Sequence, residues 1–327
     1  MGHEMPSLSI IYNPLAGTAN LASIMKKMTL FWQDRGWRVT IRPTQFAGHA
    51  RELAIRSADE GHEMVMAAGG DGTLGEVAGG LAFSNTIMAP FPSGTGNSFA
   101  KELEMPRLGL LSRNGVIRAC EALYNGRVHT IDMGRSGKEQ FWLQWIGVGI
   151  DSYVVEHIEP RSKMVRRFGR IGYLGEGLPI IRKFPGMKAK ITVDNHEIEG
   201  DYLMAIISNC RLYAGGQFLL SPDALIDDGK MEIWIFKGTS RLALFKYLWL
   251  IIRQRHISNP QILHFQAKSV TVDSEPTLPY HRDGDPAGST PFSTHIENAS
   301  LKFLVPTTAP KNLFSKQGSS FIDLFEI

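Results

Sequence analysis

The chain has 327 residues, of which 43% are apolar and 20% charged, a composition that excludes a disordered protein and leaves room for two domains of roughly 150 residues each. Its net charge of +3 and pI of about 8.8, with no long basic run, argue against a nucleic-acid partner. Two cysteines, Cys120 and Cys210, have neither metal-ligand spacing nor the density of a disulfide framework, which fits a reducing compartment.

Residues 7–12 read as a first buried strand, too short for a signal-peptide core and without a basic segment before it. Nowhere does the chain reach the ~20 apolar residues that span a bilayer. The nearest run, 242–252, is interrupted by Lys246. The expected location is therefore cytoplasmic, with contact at the inner face of the membrane. Asn13-Pro14-Leu15-Ala16-Gly17 closes the first strand with turn residues. Helical spacing follows over 21–32, a strand over 37–42, Thr44 in a loop, a helix over 47–59 and a third strand over 63–68. Strand and helix in alternation predict a parallel sheet covered by helices, with ligands at the carboxyl ends of its strands. Asn13, Thr44 and the stretch 69–73 all fall at that edge.

That stretch, Gly69-Gly70-Asp71-Gly72-Thr73-Leu74-Gly75, is the centre of the first half. A buried strand runs into a glycine turn, and a helix is expected to begin at Thr73, so free N–H groups and a positive dipole end would face a phosphate. Asp71 would repel a phosphate unless a cation lies between them, which argues for Mg²⁺. The stretch lacks the Lys-Ser/Thr ending of a P-loop and the spacing of a dinucleotide fingerprint. Gly75, Gly79 and Gly80 each cost the following helix roughly 1 kcal/mol against Ala and point to close packing. A second glycine loop, Ser93-Gly94-Thr95-Gly96-Asn97-Ser98, precedes an expected helix over 99–103. From about His129 strands dominate: 141–150, a hairpin over 188–202 around Asp194-Asn195, then 202–208, 230–237, 269–273 and 295–305. Helical patterns remain at 155–183 and 242–255. The second half thus reads as an antiparallel sandwich or barrel. The expected divisions are 1–132, 133–306 and a tail, 307–327, that packs back on the body.

These motifs, in this order, resemble the diacylglycerol kinase-like lipid kinases in their bacterial branch, related to sphingosine and ceramide kinases. The likeness is carried by Asn13-Pro14 with Gly17, the two glycine loops, Asp132, Gly147-Val148-Gly149-Ile150-Asp151, Ala214-Gly215-Gly216, the stretch 222–229, and Asp283-Gly284-Asp285-Pro286. The resemblance implies an α/β nucleotide-binding domain of the phosphofructokinase and NAD kinase type, followed by a β-rich domain. It implies ATP on Gly69–Thr73, with Leu74, Gly75, Gly94, Thr95 and Asn97 nearby and with Asn13 and Thr44 lining the site. It further implies a general base at Asp285, where the family more often has Glu, with Asp283 close enough to share the role. An Mg²⁺ network would involve Asp71 and Asp132. A second, structural Mg²⁺ would be held by the Leu225 backbone, the Asp228 side chain and the Lys230 backbone. Ser98 stands where many bacterial members have Asp, and Thr18 where several have Lys.

The expected activity is ATP- and Mg²⁺-dependent phosphorylation of a lipid hydroxyl such as that of diacylglycerol, with a sphingoid base or ceramide as the alternative acceptor. Two readings from other classes stand beside it: a soluble-substrate kinase of the NAD kinase type, and a nucleotide- or lipid-binding regulator without catalysis. The expected partners are a lipid substrate and, transiently, a membrane surface; a homodimer is left open. Arg161, Lys163, Arg166, Arg167 and Arg170 form a basic cluster that is either a solvated face or a headgroup contact. Residues 242–255 are either a buried helix or an interfacial one.

Overall fold

The structure, a computed structural model, describes residues 5–15, 21–94, 97–106, 114–158 and 179–325. Strands β1 (Ser7–Tyr12), β2 (Arg38–Pro43), β3 (Met64–Gly69) and β4 (Ile87–Pro92) form a parallel sheet in the order β2–β1–β3–β4. Centrally placed β3 carries no charged side chain and is buried along its length, as a strand covered on both faces must be. Helix α1 (Leu21–Gln33) buries Met25, Met28, Phe31 and Trp32 and packs beside a later helix, α5, at Gly115–Tyr124. Helices α2 (His49–Asp59) and α3 (Asp71–Leu81) pack on each other. A Cβ at Gly80 would lie 2.6 Å from the Arg51 carbonyl oxygen and 2.9 Å from Ala54 Cβ, so this helix glycine is fixed by the approach of α2. Helix α3 starts at Asp71, two residues before the expected Thr73, because Gly70 is the extended residue that turns the chain. A short α4 (Ser98–Glu102) follows the second glycine loop.

The second half is antiparallel. It comprises β5 (Arg127–Ser136), β6 (Gln140–Trp142), β7 (Trp145–Gly149), the helix α6 (Ile150–Ile158), β8 (Met187–Val193) and β9 (His196–Ser208), then further strands. One 13-residue strand, β9, replaces the two expected over 197–208. Helix α5, the strand Ile262–Ala267 and the hairpin Pro279–Arg282/Asp285–Ser289 have no counterpart in the sequence reading. Residues 131–133, where a domain boundary is expected, lie inside β5. The basic residues Arg161, Lys163, Arg166, Arg167 and Arg170 lie outside the described residues.

The strand Phe292–Val305 joins the halves. It pairs antiparallel with Ser269–Glu275 at its start and with β5 from His295 onward, and it meets β4 in parallel at Phe303 opposite Met88. Its Leu301, Phe303, Leu304 and Val305 belong to the N-terminal hydrophobic core, while Phe292 belongs to the C-terminal one. The tail returns over the first half, where Phe321 is fully buried and stacks on Trp37 with ring centroids 5.6 Å apart.

Candidate functional site

The carboxyl ends of the parallel strands bring the first-half residues together. Tyr12 and Pro43 share a register position, as do Gly69 and Pro92, so Asn13, Thr44 and both glycine loops leave the sheet at one edge. Asn13 accepts the Leu15 N–H on its side-chain oxygen at 2.9 Å, and Thr44 N–H donates to the Tyr12 carbonyl at 2.9 Å. The two loops are in main-chain contact. Gly94 N–H donates to the Gly69 carbonyl at 3.1 Å, and a Cβ at Gly94 would lie 2.7 Å from the nitrogen and Cα of Gly70. Only glycine permits that approach. Asn97 donates its side-chain amide to the Gly94 carbonyl at 2.6 Å, Thr73 packs over Gly69, and Leu74 N–H closes the first turn of α3 onto the Gly70 carbonyl. Thr95 lies outside the described residues.

Asp71 does more than the sequence suggested. Its two carboxylate oxygens accept the N–H groups of Ser98 at 2.9 Å and Phe99 at 3.2 Å. The first residue of α3 thus caps the start of α4, and the loops are tied by a charge-assisted bond as well as by glycine contact.

The hairpin Pro279–Arg282/Asp285–Ser289 brings the second half to this edge. A Cβ on Gly72 would lie 3.5 Å from Asp285 Oδ2, and one on Gly75 would lie 3.7 Å from Asp283 Oδ2. Between these walls is a cleft of about 230 Å³ lined by Asp71, Gly72, Arg282, Asp283 and Asp285, with Arg51 of α2 and Phe141 of β6 also on its surface. Arg51, Phe141 and Arg282 were missed in the sequence. Only Arg282 carried a signal, its adjacency to Asp283. Its Nε is buried without a partner, and burial lowers its pKa against the pull of Asp283 and Asp285.

The two hairpin carboxylates differ in kind. Asp283 sits in a left-handed conformation, φ 51°, and accepts three main-chain N–H groups: Leu143 at 2.9 Å, Gln144 at 2.8 Å and Trp145 at 3.0 Å. It therefore clamps the 143–145 segment to the hairpin tip. Asp285, at the start of its strand, is exposed to the cleft. Just before them, His281 Nε2 lies 2.7 Å from Asp151 Oδ2, which ties the hairpin to the first turn of α6. Burial pushes the Asp151 carboxyl up, but the charge and hydrogen bond of His281 hold it below its usual range.

Burial drives the Asp283 carboxyl up to about 6, against the lowering effect of its three N–H donors; the nearby Asp71 charge adds to the rise. A carboxyl raised in the folded state favours folding fully below its unfolded value, near 3.8, and loses that contribution as pH rises through 6. The wild-type protein is therefore expected to show a stability component of roughly 1–3 kcal/mol that falls between pH 4 and 6. Asp283→Asn should lack that component and also be less stable at pH 7, since an amide nitrogen then faces a main-chain donor. Urea midpoints of both proteins across this pH range measure the difference. Equal pH slopes would contradict the assignment.

The residues expected to hold magnesium are bonded to different main-chain groups. Asp132, fully buried, accepts Gly229 N–H and Ala299 N–H, each at 2.6 Å. Burial raises its pKa, and the charges that add to the rise are those of Asp228 and Asp227. Asp132 is thereby tied to the loop 225–230, and its partners there are not shared with Asp71. In the same loop Asp228 accepts Lys230 N–H at 3.0 Å, and burial also raises its pKa. A cation at Leu225, Asp228 and Lys230 would meet one side-chain carboxylate there, that of Asp228. Asp71, Asp283 and Asp285 line one cleft, but the oxygens of Asp71 and Asp283 already accept main-chain N–H groups. Among the described residues no three His, Cys, Asp or Glu side chains gather as a metal-binding group, so an ion at either place would need main-chain oxygens, water or substrate phosphate.

Residues 7–136 match the family model described as the diacylglycerol kinase catalytic domain, and residues 144–305 match that of the YegS C-terminal NAD kinase beta sandwich-like domain. Among curated proteins, a diacylglycerol kinase of Staphylococcus carnosus (strain TM300) is 27% identical over 296 residues, 88% of this chain and 93% of its own. A diacylglycerol kinase of Bacillus subtilis (strain 168) is 26% identical over 293 residues, 88% of this chain and 92% of its own. A crystal structure of a diacylglycerol kinase from Bacillus anthracis str. Sterne superposes with a TM-score of 0.70 over 93% of this chain and 98% of its own; at 21% identity it speaks for the fold alone.

Proposed function

The chain belongs to the diacylglycerol kinase catalytic-domain family, and from that premise we propose that it is a lipid kinase that transfers the γ-phosphoryl group of ATP to a lipid hydroxyl, with diacylglycerol as the acceptor. The observation that carries the reading is the facing of Asp285 and the start of α3 across one cleft: a base on one wall, N–H groups at a helix start on the other.

In this reading the main-chain N–H groups of the two glycine loops bind the nucleotide phosphates, and Asp71 holds the second loop in place through Ser98 and Phe99. Asp285 takes the proton from the lipid hydroxyl as its oxygen forms a bond to the γ-phosphorus. The bond from that phosphorus to the bridging oxygen breaks, and ADP leaves. Asp283 fixes the hairpin tip, and with it Asp285, by gripping residues 143–145. Arg282 offers a guanidinium to phosphate oxygens in the same cleft. Mg²⁺, when bound near Asp71 and Asp285, would offset charge on the transferring group.

Labelled ATP and Mg²⁺ should transfer label to diacylglycerol in a panel with monoacylglycerol, sphingosine and ceramide. Label on sphingosine or ceramide alone would move the acceptor class. Folded protein that labels none of them would overturn the proposal, and label on NAD in the absence of lipid would replace it with the soluble-substrate reading.

A further inference from the structure

The helix Ala243–Ile252 is apolar on two faces, and only one is covered. Tyr247, Leu250 and Ile251 are buried in the C-terminal core. Leu242, Phe245, Trp249 and Ile252 are 76, 50, 48 and 58% exposed. Their spacing of three, four and three residues sets them in one line about 15 Å long. Together with Ile257 they make five of the thirteen large hydrophobic side chains left exposed among the described residues, so this is a patch rather than the ordinary scatter of single apolar side chains.

Along the chain the charge flanking this helix has one sign: no Asp or Glu occurs between Glu232 and Asp273, while Lys237, Arg241, Lys246, Arg253 and Arg255 supply five positive charges. The guanidinium carbons of Arg253 and Arg255 lie 6.0 and 5.8 Å from the centre of the Trp249 ring, which keeps cations beside the indole. The helix is also held in place. Arg241 donates to the Phe184 carbonyl at 2.9 and 2.6 Å, and Gln254 donates to the Leu219 carbonyl at 2.7 Å. Binding at the outer face therefore requires no folding. No helix of the described residues is long and apolar enough to cross a membrane, so any lipid contact through this element is made from the surface.

We propose that this face docks on an anionic lipid bilayer, with Phe245 and Trp249 among the acyl chains and Lys246, Arg253 and Arg255 at the headgroups. Apolar side chains flanked by an indole and by cations on flexible stems match that boundary. A second copy of the chain fits poorly, because a two-fold contact would set the cations of one copy against those of the other. The surface is argued from its own residues and stands apart from the kinase reading, to which it would give access to a membrane-resident acceptor.

The tryptophans supply the test. Trp32, Trp37, Trp142, Trp145 and Trp234 are buried, and Trp249 is the exposed one of the six. Without nucleotide, vesicles of phosphatidylcholine and phosphatidylglycerol, two to one, should shift the emission to the blue, shield it from acrylamide and pellet the protein, less so as salt rises. Pure phosphatidylcholine should do so weakly. Arg253→Gln with Arg255→Gln should weaken pelleting about 25-fold, at about fivefold for each cation removed. Phe245→Ser with Trp249→Ser should weaken it by about tenfold or more. Emission and pelleting unchanged by anionic vesicles at low salt, equal binding to both vesicle types, or full binding by either double variant would overturn the proposal. So would a wild-type dimer that the Phe245/Trp249 variant converts to monomer without any vesicle binding. Because no turnover is read, a failure here and a failure of the kinase reading are separate results.

Discussion

Asp285→Asn should lower kcat by roughly 10²–10⁴-fold with little change in the KM for ATP, the usual worth of a positioned base. The amide keeps the size of the side chain but removes its capacity to take a proton and its charge beside Arg282. Asp285 lies exposed on the cleft wall opposite Gly72, so the substitution disturbs no buried packing. Asp283 is the competing base, and its raised pKa would suit the task. Its oxygens, however, are already committed to Leu143, Gln144 and Trp145. Asp283→Asn should therefore lose activity together with thermal stability, whereas Asp285→Asn should lose activity with a smaller change in Tm. Steady-state kinetics on the labelled lipid and a melting curve for each variant separate them. A near-fully active Asp285→Asn beside an inactive, wild-type-stable Asp283→Asn would move the base to Asp283. Two active variants would leave the proton to water or to the substrate phosphate.

Asp71→Asn should fail differently. It removes a charge at the cleft and puts an amide nitrogen against the N–H of Ser98 or Phe99. Hydrogen bonds to a charged group contribute about 1.5–3 kcal/mol, so loss of even one displaces the second glycine loop at a cost of roughly 10–150-fold in kcat/KM for ATP. The Mg²⁺ concentration for half-maximal activity should rise as well, since one fewer carboxylate remains for the cation. A variant with normal Mg²⁺ dependence but a lower Tm would restrict Asp71 to capping α4.

The contrast between these aspartates shows what was readable in the sequence. The run 64–68, the glycines beside it and the alternation of strands and helices are local signals, and they put Asn13, Thr44 and Gly69 at one edge, whereas the contact of Gly94 with Gly69 and Gly70 is not local. The division of labour between Asp283 and Asp285 is not local. It depends on a left-handed residue and on N–H donors about 140 positions earlier in the chain. The main-chain partners of Asp132, Gly229 and Ala299, come from distant segments that no local pattern names. The joining role of Phe292–Val305 was invisible for the same reason: an alternating strand pattern does not name its neighbours.

That joining strand also sets a timetable for biosynthesis. Met88 leaves the ribosome 215 residues ahead of its partner Phe303, an interval of roughly 10–40 s at about 5–20 residues per second. Throughout it, the outer edge of β4 is an open template for strand pairing, and the first core lacks Leu301, Phe303 and Leu304. A nascent chain of this protein therefore carries its two glycine loops on a half-closed sheet until translation is nearly complete. The first half is thus the part most exposed to chaperones, and to neighbouring nascent chains on the same message, before the last long strand seals it.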